Sequence, residues 1–115
     1  MSKEELKNKL SGIVKGEVLD DEATLKTYSK DASLFEVAPQ LVVWPKDKED
    51  IKKVVKFVSE NKKDNPELSV TVRAAGSCMS GGSLNESIIL DVTKHMNSFG
   101  VDALKREATI EPGVF

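Results

Sequence analysis

Between Arg73 and Ser83 the chain reads Arg-Ala-Ala-Gly-Ser-Cys-Met-Ser-Gly-Gly-Ser. Three glycines, two alanines, three serines and one cysteine take nine of these eleven positions. Small side chains let a ligand approach the backbone closely and let several N–H groups converge on one anion. Ser77, Ser80 and Ser83 add hydroxyl donors. A diphosphate is the ligand such a loop suits best; the competing reading is a plain connection between two strands. Two familiar phosphate loops are excluded, because neither G-x-x-x-x-G-K-[ST] nor G-x-G-x-x-G occurs. The loop also runs towards a strand, so no helix dipole would assist it.

Other reactive side chains are sparse. Cys78, the only thiol, reads as a small half-buried residue in place of Ser rather than a reactive group. His95, the only histidine, has no Ser, Cys or acid constellation near it in sequence and reads as a surface or capping residue after Asp91. Arg73 suits a phosphate contact and a strand-end ion pair equally well. Trp44 reads as a core or domain-interface residue, with an adenine contact as the alternative. One Cys and one His cannot assemble a usual zinc site.

The elements that must position this loop can be traced from spacing. Ser2 and Glu5 form a capping-box pair, and Leu6, Leu10, Ile13 and Val14 recur at helical spacing. This predicts a helix from about Ser2 to Val14, closed by Gly16 in the left-handed conformation. Asp20 or Asp21 caps a second short helix with Leu25 and Tyr28, and Ser29 to Ala38 reads as irregular. Leu41-Val42-Val43-Trp44 lies between Pro39 and Pro45 and reads as a buried strand. Asp47 caps a third helix with the acids Glu49 and Asp50 in its first turn, where they favour the helix dipole, an apolar stripe of Ile51, Val54, Val55 and Val58 with Phe57 beside it, and a solvated lysine face. Ser69–Arg73 is β-branched, Ile88–Val92 is a second apolar run, and Phe99–Asp102 with Glu107–Glu111 reads as a hairpin. Strand, helix and strand in this order predict a right-handed βαβ unit with a parallel pair.

Composition sets the outer bounds. In 115 residues, 17 basic and 19 acidic side chains give a net charge of −2, too balanced for non-specific nucleic-acid binding. A single cysteine excludes an intrachain disulfide framework. No apolar run reaches the roughly 18–20 residues of a membrane span, and the polar start Met1-Ser2-Lys3-Glu4-Glu5 shows no secretory signal. The expected location is cytoplasmic, including the periphery of a membrane. Residues 1–68 carry 13 basic and 14 acidic groups and residues 69–115 only 4 and 5, while five of the seven glycines lie in the second part. A charged helical front and a Gly-rich β back predict an α+β layout.

The order Pro45, amphipathic helix, strand, Arg73-Ala74-Ala75-Gly76-Ser77, Ser80-Gly81-Gly82-Ser83, Ile89-Leu90-Asp91-Val92, Met96-Asn97 and Glu111-Pro112-Gly113-Val114 resembles the start of the FAD-linked oxidase family. This is the flavin domain of vanillyl-alcohol oxidase, D-lactate dehydrogenase and the glycolate oxidase flavoprotein subunit. The resemblance covers about 41–115. It implies the first subdomain of a two-subdomain FAD-binding domain: a small parallel or mixed sheet, flanking helices and a C-terminal hairpin. Residues 1–40 are then a helical lead-in, and the domain continues beyond residue 115 in a C-terminal half of the same chain. Carried over by position, the resemblance places the FAD pyrophosphate against Ala75, Gly76, Ser77, Cys78, Ser80, Gly81, Gly82 and Ser83, with Arg73, Pro112 and Gly113 also lining the cofactor. Relatives often have Gly-Gly where Ala74 and Ala75 stand, which predicts a less tightly folded loop. Members with covalent flavin often have His where Ser77 stands, so the FAD is expected to be non-covalent.

The activity implied is oxidation of a 2-hydroxy acid, such as D-lactate or glycolate, by hydride transfer to the flavin. The substrate base lies far downstream in relatives, so residues 1–115 alone are expected to be inactive and to bind free FAD weakly. The alternatives are a flavin-dependent sugar-nucleotide reductase of the same fold and a non-catalytic interaction domain.

Overall fold

The computed structural model describes all residues, 1–115. Its first helix, α1 (Lys3–Ser11), starts where Ser2 Oγ accepts from the Glu5 N–H at 3.1 Å. Only this half of the capping box forms, because the Glu5 carboxylate turns to Lys9 at 2.8 Å. Gly12 ends the helix in the right-handed region, earlier than the Val14 and Gly16 expected. Gly16 is needed instead for close approach, since a Cβ there would lie 1.9 Å from the Trp44 carbonyl oxygen.

Gly16 leads into β1 (Glu17–Leu19), a three-residue strand with no signal in the periodicity. The helix α2 (Glu22–Tyr28) follows, its Asp21 side chain accepting from the Thr24 N–H. Next come β2 (Leu41–Trp44), α3 (Lys48–Asn61), β3 (Val70–Arg73) and β4 (Ile88–Asp91). The segment 29–38 holds one isolated bridge, between Lys30 and Glu36.

The sheet order is β1-β2-β4-β3. β1 is antiparallel to β2, while β2 and β3 each pair in parallel with β4. The expected β2–α3–β3 pair is therefore parallel but not adjacent, because β4 is inserted between its strands. Burial explains the insertion: all four residues of β4 are buried, as the central strand of a two-faced sheet requires. On one face Leu41, Val43, Ile88 and Leu90 pack with Leu6 and Leu10 of α1 and Val54 and Val58 of α3. On the other face Val42 and Ile89 pack with Tyr28 of α2.

The stripe of α3 is rotated from the expected one. Val55 is 50% exposed, whereas Asp50 is completely buried in line with Val54 and Val58. Asp50 is an anchor rather than a dipole charge: its carboxylate accepts from the N–H groups of Lys15, Gly16 and Lys46, each at 2.9 Å. Burial alone would push this carboxyl up; the three donors outweigh it and hold it below the ordinary carboxylate value.

The expected hairpin forms from β5 (Phe99–Asp102) and β6 (Glu107–Ile110), with Phe99 opposite Ile110 and Val101 opposite Ala108. It stands apart from the four-stranded sheet, and every residue of both strands is exposed.

Candidate functional site

The three parallel strands end together. The register pairs Val43 with Leu90 and Arg73 with Asp91, so Trp44, Asp91 and Arg73 mark one carboxyl edge of the sheet. In open sheets with parallel strands this edge is where ligands bind. The Arg73–Ser83 loop leaves from it, and the Val92–Met96 connection leaves beside it.

Tyr28 ties the edge together from the end of α2. Its O–H donates to Asp91 Oδ2, and its oxygen accepts from Trp44 Nε1 at 3.0 Å. Asp91 Oδ1 accepts from the N–H and the hydroxyl of Thr93 at 2.7 and 2.6 Å. Burial, then the bond to Asp91, push the Tyr28 phenol well above its ordinary value. The Arg73 guanidinium stacks over the Tyr28 ring at 5.2 Å and donates from Nη1 to the Tyr28 carbonyl at 3.3 Å. Arg73 thus forms no strand-end ion pair with an acid; its partner within the chain is an aromatic face. Trp44 carries the Lys94 ammonium over its ring at 4.7 Å. Sequence reasoning gave Tyr28 only a packing role; the single available hint was an acid, Asp91, inside the apolar run Ile88–Val92.

The loop itself is an open cradle. Ala74, Ala75, Gly76, Ser77, Cys78, Gly82 and Ser83 line a groove of about 360 Å³ with the end of β3. None of the backbone N–H groups from Ala74 to Met79 has a partner within the chain. Gly76 and Gly81 adopt φ of 68° and 81°, the left-handed region that glycine enters without strain. A Cβ at Gly76 would lie 2.4 Å from Arg73 Nη2, and one at Gly81 3.0 Å from the Phe35 ring. Cys78 is half-buried, and its Sγ accepts from the Gly82 N–H at 3.3 Å. The Ser80 hydroxyl, 3.5 Å from that sulfur, and the Gly82 N–H hold the thiol below its ordinary value.

The remaining expected residues lie elsewhere along the same edge. Gly113 is buried against the β4–β5 connection, where a Cβ would meet the Val92 carbonyl oxygen at 2.2 Å. Its N–H donates to the Met96 carbonyl at 2.8 Å, so that donor is already used. Pro112 is the exposed member of this turn. His95 lies on the surface, with Nε2 2.6 Å from Glu17 Oε2.

An anion of diphosphate size fits this arrangement: free donors in a row, glycines that permit close approach, and an open groove. Residues 39–115 match the FAD binding domain family, and the chain belongs to that family. FAD is accordingly its cofactor. Among curated proteins, D-2-hydroxyglutarate dehydrogenase from Pseudomonas putida is 32% identical over 84 residues, which are 73% of this chain and 8% of that protein. The corresponding enzyme of Escherichia coli is 29% identical over 82 residues. Among solved structures, 6-hydroxy-D-nicotine oxidase from Arthrobacter nicotinovorans superposes with a TM-score of 0.73 at 25% identity, over 88% of this chain and 22% of that one. The chain therefore spans less than a tenth of the Pseudomonas putida relative's length. The expected α+β fold of a flavin-linked oxidase domain is the observed one. No helix is long and apolar enough to cross a membrane.

Proposed function

We propose that the Arg73–Ser83 loop holds the diphosphate of FAD and that the chain supplies this part of the cofactor site to a flavin-dependent 2-hydroxy-acid dehydrogenase. The observation that carries the reading is the row of unpartnered N–H groups from Ala74 to Met79 on a loop of small residues. In this reading Ala75, Gly76, Ser77 and Cys78 donate backbone N–H groups, and Ser80 adds its hydroxyl. Gly81 and Gly82 let the ligand come close, Ser83 closes the loop, and Arg73 places a positive charge at its entrance. Pro112 supplies the ligand-facing side of its turn, and Gly113 fixes that turn. Ser77 cannot form the histidyl link of covalent members, which supports a non-covalent FAD.

When bound, FAD supplies the acceptor of a hydride, chemistry that the protein side chains lack. The residues of this chain bind and orient it. Its carboxylates at this edge are already committed, Asp91 to Tyr28 and Thr93 and Asp31 to Ser33 and Ser83. Nothing here serves as a base for a hydroxy acid, so turnover is assigned to residues outside 1–115. The relatives' printed name favours D-2-hydroxyglutarate as the first substrate to test, ahead of D-lactate and glycolate.

Trp44 is the only tryptophan and sits at the same edge, so its fluorescence reports on binding. FAD should quench it saturably, ADP should compete, and riboflavin, which has no phosphate, should not. Riboflavin competing as well as ADP would contradict a diphosphate site.

A further inference from the structure

The loop does not hold its shape by itself. The segment before β2 grips it at three points. Ser83 Oγ donates to Asp31 Oδ2 at 3.0 Å, the Ala32 N–H donates to the Gly76 carbonyl at 3.1 Å, and the Phe35 ring lies against Gly81. The gripping segment is itself pre-formed. The Ser33 N–H donates to Asp31 Oδ1 at 2.8 Å, the Phe35 N–H to Ser33 Oγ at 3.1 Å, and the Val37 N–H to the Ser29 carbonyl at 2.9 Å. One residue earlier in this stretch, Tyr28, carries the aromatic face on which Arg73 rests. All of these gripping residues precede residue 39, where the family match begins.

We infer that residues 28–35 form the outer wall of the cofactor site, with Asp31 as a positioning residue that fixes the spacing of the loop's donors through Ser83. The inference rests on the loop being the FAD diphosphate site. Asp31 does not act as a ligand. A carboxylate facing a diphosphate would repel it, but this one is turned to Ser33 and Ser83. The Ser33 bond first, then Ser83, with Arg73 nearby, hold its carboxyl below the ordinary value. Asp31 holds Ser83 and the neighbouring Ala32 N–H holds Gly76, so both ends of the 76–83 turn are tied to one short segment.

The test compares Asp31→Ala, Asp31→Asn, Ser83→Ala and the Asp31→Ala/Ser83→Ala double variant in the 115-residue chain. FAD affinity is read from Trp44 quenching, and amide exchange at Ala32 reports on the clasp without any ligand. Loss of the shared charge-assisted Asp31–Ser83 hydrogen bond predicts about five- to tenfold weaker FAD binding for Asp31→Ala and for Ser83→Ala. The double variant should be no worse than either single one, because both remove the same link. Asp31→Asn keeps an acceptor for Ser33 and a polar partner for Ser83, so it should bind FAD within about twofold of the parent. Ala32 exchange should quicken in Asp31→Ala and not in Asp31→Asn. FAD binding unchanged in Asp31→Ala, or losses that multiply in the double variant, would overturn the positioning role alone. If FAD leaves the loop amides of the unsubstituted chain unprotected, the parent reading falls and the positioning role with it.

Discussion

The Tyr28 phenol at the end of α2 donates its O–H to Asp91 Oδ2 at the end of β4, across 63 positions of sequence. The same oxygen accepts from Trp44 Nε1 at the end of β2, and the same ring carries Arg73 at the end of β3. One side chain therefore joins the ends of all three parallel strands at the edge from which the Arg73–Ser83 loop departs. Tyr28→Phe keeps the ring and removes the hydroxyl, leaving the Trp44 N–H and one Asp91 oxygen without that partner. The expected loss is about 1–3 kcal/mol of stability, seen as a lower thermal midpoint, while the Arg73 stacking survives.

Tyr28 is also the only tyrosine, so alkaline titration of the phenolate band reads it alone. Burial and then Asp91 raise its folded-state value. A raised value means that the stabilisation is complete below the unfolded value of about 10 and is lost as pH rises above it. Phenolate absorbance should be missing near pH 10 in the folded chain and should rise together with unfolding. A simple titration near pH 10 with the fold intact would contradict the buried bond.

At the acid end the corresponding group is Asp50. Its folded-state value is held below the ordinary one by the Lys15, Lys46 and Gly16 donors against the effect of burial. That contribution is present above the unfolded value of about 3.9 and is lost as pH falls through the lower folded value. Asp50→Ala leaves three backbone donors without their acceptor and should cost about 3 kcal/mol, which urea unfolding at neutral pH would measure. The penalty should shrink as the parent itself loses stability in acid.

Two glycines separate close packing from open surface. A Cβ at Gly113 would meet the backbone oxygens of Val92 and Met96 at 2.2 and 2.5 Å, whereas at Gly100 nothing lies within 4 Å. Gly113→Ala should destabilise by about 3 kcal/mol. Gly100→Ala should stay within about 0.5 kcal/mol of the parent. Equal midpoints for the two variants would show that the Pro112-Gly113 turn is not packed as described.

The β5–β6 hairpin should be the first part to open. A two-stranded hairpin with no buried residue is marginal in water. Its amides should exchange much faster than those of β4, whose four residues are all buried.

What the sequence made legible follows from how local each signal is. α3 announces itself through the Asp47 cap and an apolar stripe, and β2 and β4 through short apolar runs. These depend on near neighbours in the chain. β1 escaped because three residues are too few for periodicity, and it is held by pairing with β2. The insertion of β4 between β2 and β3 escaped because strand order is set by which strand can be buried on both faces. Asp50 read as a helix-dipole charge because its acceptor role depends on Lys15 and Gly16, more than thirty residues away. The loop residues from Arg73 to Ser83 were legible from side-chain size alone. Asp31, Ala32 and Phe35, which hold that loop in shape, were not, since a segment read as irregular shows nothing of its contacts.

The central claim is that the unpartnered N–H groups between Ala74 and Met79 receive the FAD diphosphate. Amide hydrogen exchange of the chain with and without saturating FAD tests it most directly. These amides lack partners within the chain and should exchange quickly without ligand. With FAD, exchange from Ala74 to Met79 should slow while the β5–β6 amides stay unchanged. An exchange pattern identical with and without FAD at Ala74–Met79, in a sample where FAD quenches Trp44, would place the cofactor elsewhere and contradict the account.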